Sequence, residues 1–320
     1  MSSPNRGGIF INQSRMPVRR RSPFLALLAL GIALLTGFGL YVHQNEKTHD
    51  RSQKPRVVHI RSKKVAQPRS KHTASGLAEP SARRPLTILS VGDSLGEDLG
   101  YGLQDIIGSE PHIHLILDAV GSTGLANVAY YNWPKTLALE LKQTHPQIMV
   151  ILIGGNDAVG FDQGNQPVPF GTALWHHYYS LRVAKMMSEA VRAGCHVFWV
   201  GLPIMAKDSV LSNHAMQELN RVYRTEAKSH PGVTYISSWK LFQNTSGHFT
   251  EYLKNPSGLN TIVRDSDGVH IAPPAGQELV ASAVLAAIDR VEDLHICAEP
   301  GDYWPEFNPK GCPMAINSGS

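Results

Sequence analysis

Five short runs rich in Val, Ile and Leu recur between residues 87 and 236, and turn-forming residues such as Gly and Asp follow most of them. The runs are Thr87–Val91, His114–Val120, Ile148–Ile153, His196–Gly201 and Val233–Ile236. The amphipathic segments that alternate with them predict helices near Leu95–Ile107, Pro134–Thr144, His176–Ala193, Val210–Ser229 and Ala275–Val291. Apolar runs joined by helical crossovers indicate a parallel sheet with both faces covered. We therefore expect one α/β domain over residues 86–296.

The charge of the chain is divided unequally along its length. The sequence has a formal net charge of +4, but residues 1–85 contain 16 Lys and Arg and only 3 acidic residues. The remaining residues contain 14 Lys and Arg and 23 acidic residues. Contacts between cations and phosphates dominate nucleic-acid affinity, so an acidic domain disfavours nucleic acid as a partner.

Residues 24–42 form an uncharged apolar segment, and Arg19–Arg21 lie close to its N-terminal end. A helix of this length spans about 28 Å, close to the roughly 30 Å hydrocarbon core of a bilayer. A cleaved signal peptide is the alternative, but the run is long and no small-x-small cleavage site follows it. Basic residues flank both ends, and the arginine triplet is the nearer, so we expect residues 1–23 in the cytoplasm. The sequence thus predicts a single-pass anchor in the inner membrane, with the α/β domain on the periplasmic side.

Two further segments lack the pattern of a folded core. Residues 43–85 are rich in Lys, Arg, Ser, His and Pro, which predicts a disordered basic linker. This linker is either a solvated spacer or a contact for anionic lipid head groups or acidic polymer. Residues 297–320 form a Pro/Gly-rich tail, in which Cys297 and Cys312 could pair outside the cytoplasm. Cys195 begins an apolar run and is expected to be buried and unreactive.

Active sites of open parallel sheets form just beyond the carboxyl ends of the strands. The first apolar run is followed there by Gly92–Leu95, with Ser94 at the start of a predicted helix. A serine in this place exposes its hydroxyl, and its N–H near the helix N-terminus can hold a developing anion. On this motif alone, Ser94 could equally be an N-cap residue.

The second and third runs are followed by candidate donors for the same anion. Gly121 and Gly124 both lie in the turn after the second run, and either could be a turn glycine or an N–H donor. We prefer Gly124 as the donor, because Gly121 lies nearer the strand end and suits the turn itself. Asn156 follows the third run, where it could donate through its side-chain amide or simply form a turn.

A histidine and two aspartates precede the last predicted helix. Asp267 lies three residues before His270, a spacing that suits a general base and the carboxylate that orients it. Asp265 is the rival orienting carboxylate, with a solvated turn residue as its simpler interpretation. Trp133 follows the second turn and could pack in the core or stack on a sugar ring.

In order and spacing, these motifs resemble the four blocks of the SGNH hydrolases, the GDSL-type serine esterases, over about residues 86–292. The matching residues are Gly92–Leu95, a glycine of the 121–124 turn, Gly155–Asp157, and Asp267 with His270. The resemblance implies a flavodoxin-like three-layer α/β/α fold with a five-stranded parallel sheet. With its predicted anchor, the chain also resembles a membrane-anchored bacterial subgroup of uncharacterised function.

The resemblance also implies roles for the site residues. Ser94 would be the nucleophile, His270 the general base and Asp267 the carboxylate that orients it. The N–H groups of Ser94 and Gly124 and the amide of Asn156 would form the oxyanion hole. We expect no cofactor, and no His and carboxylate spacing indicates a metal site.

An anchored esterase outside the cytoplasm would meet envelope glycans, exported polysaccharides and lipids. We therefore expect removal of O-acyl groups, chiefly acetyl, from a cell-surface or exported polysaccharide, with polysaccharide-synthesis or export proteins as partners. The same residues could instead serve an O-acyltransferase or a lipid or thioester hydrolase. A non-catalytic accessory subunit of a polysaccharide-export machine is the alternative from another class.

Overall fold

The computed structural model describes residues 77–294 and 296 of the 320-residue chain. The predicted anchor over residues 24–42 and the predicted Cys297–Cys312 pair lie outside these residues. Within the described residues, no helix is both long enough and apolar enough to cross a membrane. The folded part begins ahead of the predicted boundary at residue 86, because Leu77 packs against the core. The end of the predicted linker therefore belongs to the domain.

The described residues alternate strands and helices. The strands are β1 (Leu86–Gly92), β2 (Ile113–Ala119), β3 (Ile148–Leu152), β4 (Phe161–Gln163), β5 (Gln166–Val168), β6 (His196–Val200), β7 (Val233–Ile236), β8 (Tyr252–Lys254) and β9 (Asn260–Ile262). The helices are α1 (Ser94–Ile107), α2 (Trp133–Thr144), α3 (Ala173–Arg192), α4 (Asn213–Ser229) and α5 (Ala275–Glu292), with a short 3₁₀ helix over Trp239–Phe242.

The main sheet has five parallel strands in the order β2-β1-β3-β6-β7. Every residue of β3, at the centre of the sheet, is buried. Helix α1 packs against α5, whereas α2 packs against α3 and α3 against α4. The prediction of an α/β fold with a five-stranded parallel sheet is confirmed.

The strand order fixes where a site can form. From β1 the chain first crosses to β2 on one side, and later strands add on the other side through β3. Loops at such a switch point diverge and leave a crevice at the carboxyl ends of the strands. Ser94 follows β1 and Asn156 follows the end of β3, so both lie at this crevice.

Some element boundaries differ from the predicted ones. Helix α3 begins at Ala173, earlier than predicted, because the Thr172 hydroxyl accepts the N–H of Trp175 and caps the helix. Helix α4 begins only at Asn213, after an irregular loop. The sequence does not predict the hairpins β4–β5 and β8–β9, since strands of three residues are too short to show an alternating pattern.

Candidate active site

The structure brings Ser94, His270 and Asp267 into one hydrogen-bonded row. The Nε2 atom of His270 lies 3.0 Å from the Oγ atom of Ser94. Its Nδ1 atom lies 2.5 Å from the Oδ2 atom of Asp267. The imidazole therefore touches a hydroxyl on one side and a carboxylate on the other, the arrangement that hydroxyl activation requires.

Ser94 owes its position to the end of β1 and the start of α1. The N-cap of α1 is Asp93, whose Oδ1 atom accepts the N–H of Leu95 at 3.0 Å. Ser94 is therefore the first helical residue, and the N-cap interpretation of this serine is wrong because Asp93 fills that role. The Ser94 hydroxyl is left to contact His270.

The loop before α5 folds around the carboxylate of Asp267. Its Oδ1 atom accepts the N–H groups of Val269 and His270 at 2.8 and 3.0 Å, while Oδ2 faces the imidazole. Asp265 bonds the same loop through its backbone, by its N–H to His270 and its carbonyl to Gly268. Asp267 and not the rival Asp265 is thus the carboxylate in contact with His270.

The hydrogen bonds and charges around this loop lower the pKa of Asp267 and raise the pKa of His270. Burial raises the pKa of Asp267, but hydrogen bonds from His270 and from the N–H of Val269 outweigh it, and the pKa lies below its usual value. Burial lowers the pKa of His270, but the hydrogen bond and charge of Asp267, with the charges of Asp98 and Asp265, raise it above its usual value. The pair therefore favours an ionised Asp267 and a basic imidazole.

Asp98 joins the helix of Ser94 to the loop of His270. It lies one helical turn after Ser94, and its Oδ2 atom accepts the N–H of Ile271 at 3.0 Å. Its Oδ1 atom accepts the amide of Gln277 at 3.3 Å. Burial raises the pKa of Asp98 to about 6. The sequence motifs do not single out this residue, although its spacing of four from Ser94 places it on the same helical face.

Arg264 supports the same loop from the core. Its fully buried guanidinium donates to the carbonyls of Ile204, Val269 and His270 at 2.5, 2.7 and 3.1 Å. The guanidinium carbon also lies 4.9 Å from the ring centre of Phe242. Burial lowers the pKa of Arg264 to about 10. No local pattern in the sequence indicates this role, because the acceptors are backbone carbonyls brought together by the fold.

The two candidate glycines in the turn after β2 differ in burial and packing. Gly124 is buried, and a Cβ atom there would lie 2.1 Å from the Oδ1 atom of Asp157. Gly121 is exposed, and a Cβ atom there would have no heavy atom within 4 Å. The left-handed backbone of this turn is at Ser122, with φ 63°, and not at Gly121. Close packing therefore requires a glycine at 124 and does not require one at 121.

Asp157 and Arg182 hold the segment after Gly124 from two sides. The Asp157 carboxylate accepts the N–H groups of Leu125 and Ala126 at 2.8 and 2.7 Å. The Arg182 guanidinium donates to the carbonyls of the same two residues at 2.8 and 2.7 Å. Burial raises the pKa of Asp157. The sequence gives no sign of the role of Arg182, which occupies an ordinary position in a predicted helix.

The loop after β3 is tied to the loop of Ser94 through Asp93. The Oδ2 atom of Asp93 accepts the N–H groups of Gly154 and Gly155, both at 2.8 Å. Gly154 has a φ of 119°, and a Cβ atom there would lie 2.0 Å from the hydroxyl of Tyr223. Burial raises the pKa of Asp93 to about 6. Asp93 and Asp157 therefore organise loops by hydrogen bonds.

The structure leaves Asn156 exposed and buries Trp133. The Asn156 side chain is exposed at the crevice and donates from Nδ2 to the carbonyl of Thr123 at 2.9 Å. An amide group has two hydrogens, so one remains for a bound molecule. Trp133 is fully buried, and its Nε1 atom donates to the Thr123 hydroxyl. Of the two interpretations of Trp133, core packing is confirmed, and the sugar contact is excluded because the ring exposes no surface.

The domain matches a known protein family over most of its length. A family model described as "Protein of unknown function (DUF459)" matches residues 87–287. The chain belongs to this family. DUF459 is SGNH-like, and the resemblance to the SGNH and GDSL hydrolases is confirmed. None of the curated proteins matches this DUF459 chain in sequence.

Several solved structures are similar to the DUF459 domain. A GDSL-like lipase from Bacteroides thetaiotaomicron is 14% identical, with a TM-score of 0.46 over 67% of this chain and 92% of that one. TesA is 18% identical, with a TM-score of 0.44 over 64% of this chain and 99% of that one. The acetyl xylan esterase AlAXEase is 16% identical, with a TM-score of 0.42 over 63% of this chain and 98% of that one.

An open cleft of ≈ 500 Å³ adjoins Asn156 in the DUF459 domain. Most of its lining side chains are apolar, namely Ala158, Val159, Phe170, Val210, Leu211 and Ala215. Polar side chains also line it, namely Asn156, Ser212 and His214. The cleft is therefore a largely apolar surface next to a candidate anion donor.

The side chains of the described part of the DUF459 domain form no group of three or more His, Cys, Asp and Glu residues that could hold a metal ion. Cys195 is buried, as predicted, and its thiol donates to the carbonyl of Pro146 at 3.0 Å. Burial raises the pKa of Cys195 to about 11. A thiol with so high a pKa is a poor nucleophile at neutral pH.

Proposed function

We propose that this DUF459 domain is a serine esterase that cleaves carboxylic esters through an acyl-enzyme. The observation that carries the proposal is the row of Ser94, His270 and Asp267, with 3.0 Å between Ser94 Oγ and His270 Nε2 and 2.5 Å between His270 Nδ1 and Asp267 Oδ2. A hydroxyl, a base and an orienting carboxylate within hydrogen-bond reach are the parts that acyl transfer needs.

In the first half-reaction, Ser94 Oγ attacks the ester carbonyl carbon while His270 Nε2 takes the hydroxyl proton. Asp267 holds the Nδ1–H tautomer and stabilises the imidazolium that forms. The carbon–oxygen bond to the alcohol then breaks, and the imidazolium returns the proton to the departing alkoxide oxygen. The products of this half are a free alcohol and Ser94 carrying the acyl group.

In the second half-reaction, His270 takes a proton from water as the water oxygen attacks the acyl carbon. The bond to Ser94 Oγ breaks, Ser94 regains a proton, and a carboxylic acid leaves. In both halves the carbonyl oxygen becomes an oxyanion, which the N–H groups of Ser94 and Gly124 and the second amide hydrogen of Asn156 would stabilise.

The substrate we propose is an O-acyl ester, chiefly an O-acetyl ester, on a cell-surface or exported polysaccharide. The predicted membrane anchor over residues 24–42 supports an extracytoplasmic substrate. The openness of the site supports an ester carried by a polymer, because the side chains of His270 and Asp267 are 37% and 48% exposed. Polysaccharide-synthesis or export proteins are the proposed partners.

The cleft beside Asn156 favours a second candidate, an esterase or thioesterase for longer acyl chains. An acetyl group has one methyl beyond its carbonyl, whereas the cleft has a volume of ≈ 500 Å³ and mostly apolar walls. Each methylene buried against such a wall contributes about 0.8 kcal/mol, or roughly fourfold in a rate constant. A substrate with a longer acyl group would therefore be preferred if that acyl group lies in this cleft.

The test is a chain-length series of chromogenic esters, from acetate to decanoate, with the full chain beside Ser94→Ala. We expect hydrolysis by the wild type alone. A sharp fall beyond acetate supports the polysaccharide deacetylase, and a rise of roughly fourfold per methylene supports the long-chain candidate. Equal rates in wild type and Ser94→Ala would refute both candidates.

A further inference from the structure

The buried Trp133 makes its polar contact with the turn that carries Gly124. It is the first residue of α2, and its Nε1 atom donates to the Oγ1 atom of Thr123 at 2.9 Å. The ring also packs against Tyr131, with 4.9 Å between the ring centres. A buried indole N–H needs an acceptor, and Thr123 supplies it.

The Thr123 hydroxyl, which accepts the Trp133 N–H, also forms a hydrogen bond within the turn after β2. It donates to the carbonyl of Val120 at 2.6 Å, which uses its single hydrogen and leaves its lone pairs for the indole N–H. The bond closes the turn around Ser122, which has the left-handed φ of 63° that is costly for a residue other than glycine. Thr123 thus holds a strained backbone in place.

The backbone of Thr123 also holds Asn156. Its carbonyl accepts the Nδ2 atom of Asn156 at 2.9 Å. A carbonyl only accepts, so this contact fixes which end of the Asn156 amide faces the turn. Thr123 therefore contacts one proposed oxyanion donor, Asn156, and directly precedes another, Gly124.

We propose that Thr123 and Trp133 are positioning residues of the oxyanion hole. The Trp133 N–H fixes the Thr123 hydroxyl, the hydroxyl fixes the turn after β2, and the turn sets the Gly124 N–H and the Asn156 amide. This inference rests on the proposed esterase function. It gives Trp133 a role inside the fold in place of the sugar contact that its burial excludes.

Three variants and one control separate positioning from general stability. Thr123→Val keeps the shape of the side chain but removes both hydroxyl hydrogen bonds, whereas Thr123→Ser keeps them. Trp133→Phe keeps an aromatic ring and removes the N–H. The control is Trp199→Phe, because Trp199 is also fully buried but its Nε1 atom has no hydrogen-bond partner among the described residues.

Ester hydrolysis by the full chain gives the first measurement. A displacement of catalytic groups by about 1 Å can cost up to about 100-fold in rate, so Thr123→Val should lose roughly 10- to 100-fold in kcat with little change in KM. The kcat of Trp133→Phe should also fall. The kcat values of Thr123→Ser and Trp199→Phe should stay near that of the wild type. A wild-type kcat in Thr123→Val, or an equal loss in Trp199→Phe, would overturn the proposal.

Hydrogen–deuterium exchange of the same proteins gives a measurement that does not need activity. The peptide over residues 120–126 should exchange faster in Thr123→Val and Trp133→Phe than in Trp199→Phe. Unchanged exchange in Thr123→Val would refute the positioning role. If wild type and Ser94→Ala are equally inactive, the esterase proposal fails, and the exchange result alone then decides whether Thr123 and Trp133 hold the turn.

Discussion

The Nε2 atom of His270 lies 3.0 Å from the Oγ atom of Ser94, although 176 positions separate the two residues in the chain. Helix α1 begins at Ser94, and the loop of His270 leads into α5. These two helices pack against each other, so the core that joins them also joins the proposed nucleophile to its proposed base. The candidate site is therefore a direct product of the helix packing.

The pH dependence of activity should report the raised pKa of His270. A general base acts only when neutral, so kcat/KM should fall as the pH drops through a pKa above the usual value of about 6.5. In Asp98→Asn one negative charge near His270 is lost, so the pKa of His270 falls and the acid limb moves to lower pH. The amide oxygen that replaces the carboxylate can still accept the N–H of Ile271.

The measurement is a pH–rate profile of wild type, Asp98→Asn and Glu97→Gln. Glu97 neighbours Asp98 on α1 but is not among the charges that raise the pKa of His270, so its variant serves as the charge control. An acid limb that stays in place in Asp98→Asn would contradict the electrostatic role of Asp98.

Gly124→Ala should damage both stability and activity. The added Cβ atom would lie 2.1 Å from the buried Asp157 carboxylate, so the loop or the carboxylate must move. Overpacking of this kind costs about 1–3 kcal/mol in the free energy of unfolding, or about 2–4 °C in Tm per kcal/mol. Thermal unfolding and kcat measure the two effects.

Gly121→Ala is the matched control, because an added Cβ atom there meets no heavy atom within 4 Å. Its free energy of unfolding should stay within about 0.5 kcal/mol of the wild type. Should Gly121→Ala lose activity while Gly124→Ala keeps it, the assignment of the oxyanion N–H to Gly124 would be wrong.

Much of this site could be predicted because it depends on local patterns. The Val, Ile and Leu runs locate the strand ends, and Ser94, Gly124 and Asn156 follow three of those ends. Asp267 and His270 share one short loop, so their spacing in sequence is close to their spacing in space.

The rest depends on contacts between distant parts of the chain. Arg264 and Arg182 act on backbone carbonyls that only the fold brings near them. The sequence leaves core packing and a sugar contact both open for Trp133, whereas in the structure the Thr123 hydroxyl accepts its indole N–H inside the core. Side-chain burial of this kind is set by packing partners and not by local sequence.

Asn156→Ala should fold normally and lose activity. The exposed side chain holds one amide hydrogen against the Thr123 carbonyl and leaves the other for the oxyanion. Loss of one oxyanion donor typically costs about 10²–10³ in kcat. Steady-state kinetics measures the loss, and a circular dichroism spectrum that matches the wild type checks the fold. Full activity in Asn156→Ala would remove this residue from the oxyanion hole.

The most direct test of the esterase proposal is to trap the acyl-enzyme. The full chain is mixed with 4-nitrophenyl acetate, quenched in acid within the first turnover and digested for peptide mass spectrometry. The proposed mechanism predicts one acetyl group on Ser94, and none in Ser94→Ala under the same conditions. If Ser94 stays unmodified during turnover, the mechanism is contradicted. An acetyl group that forms and disappears on another residue at the rate of ester hydrolysis would also contradict it.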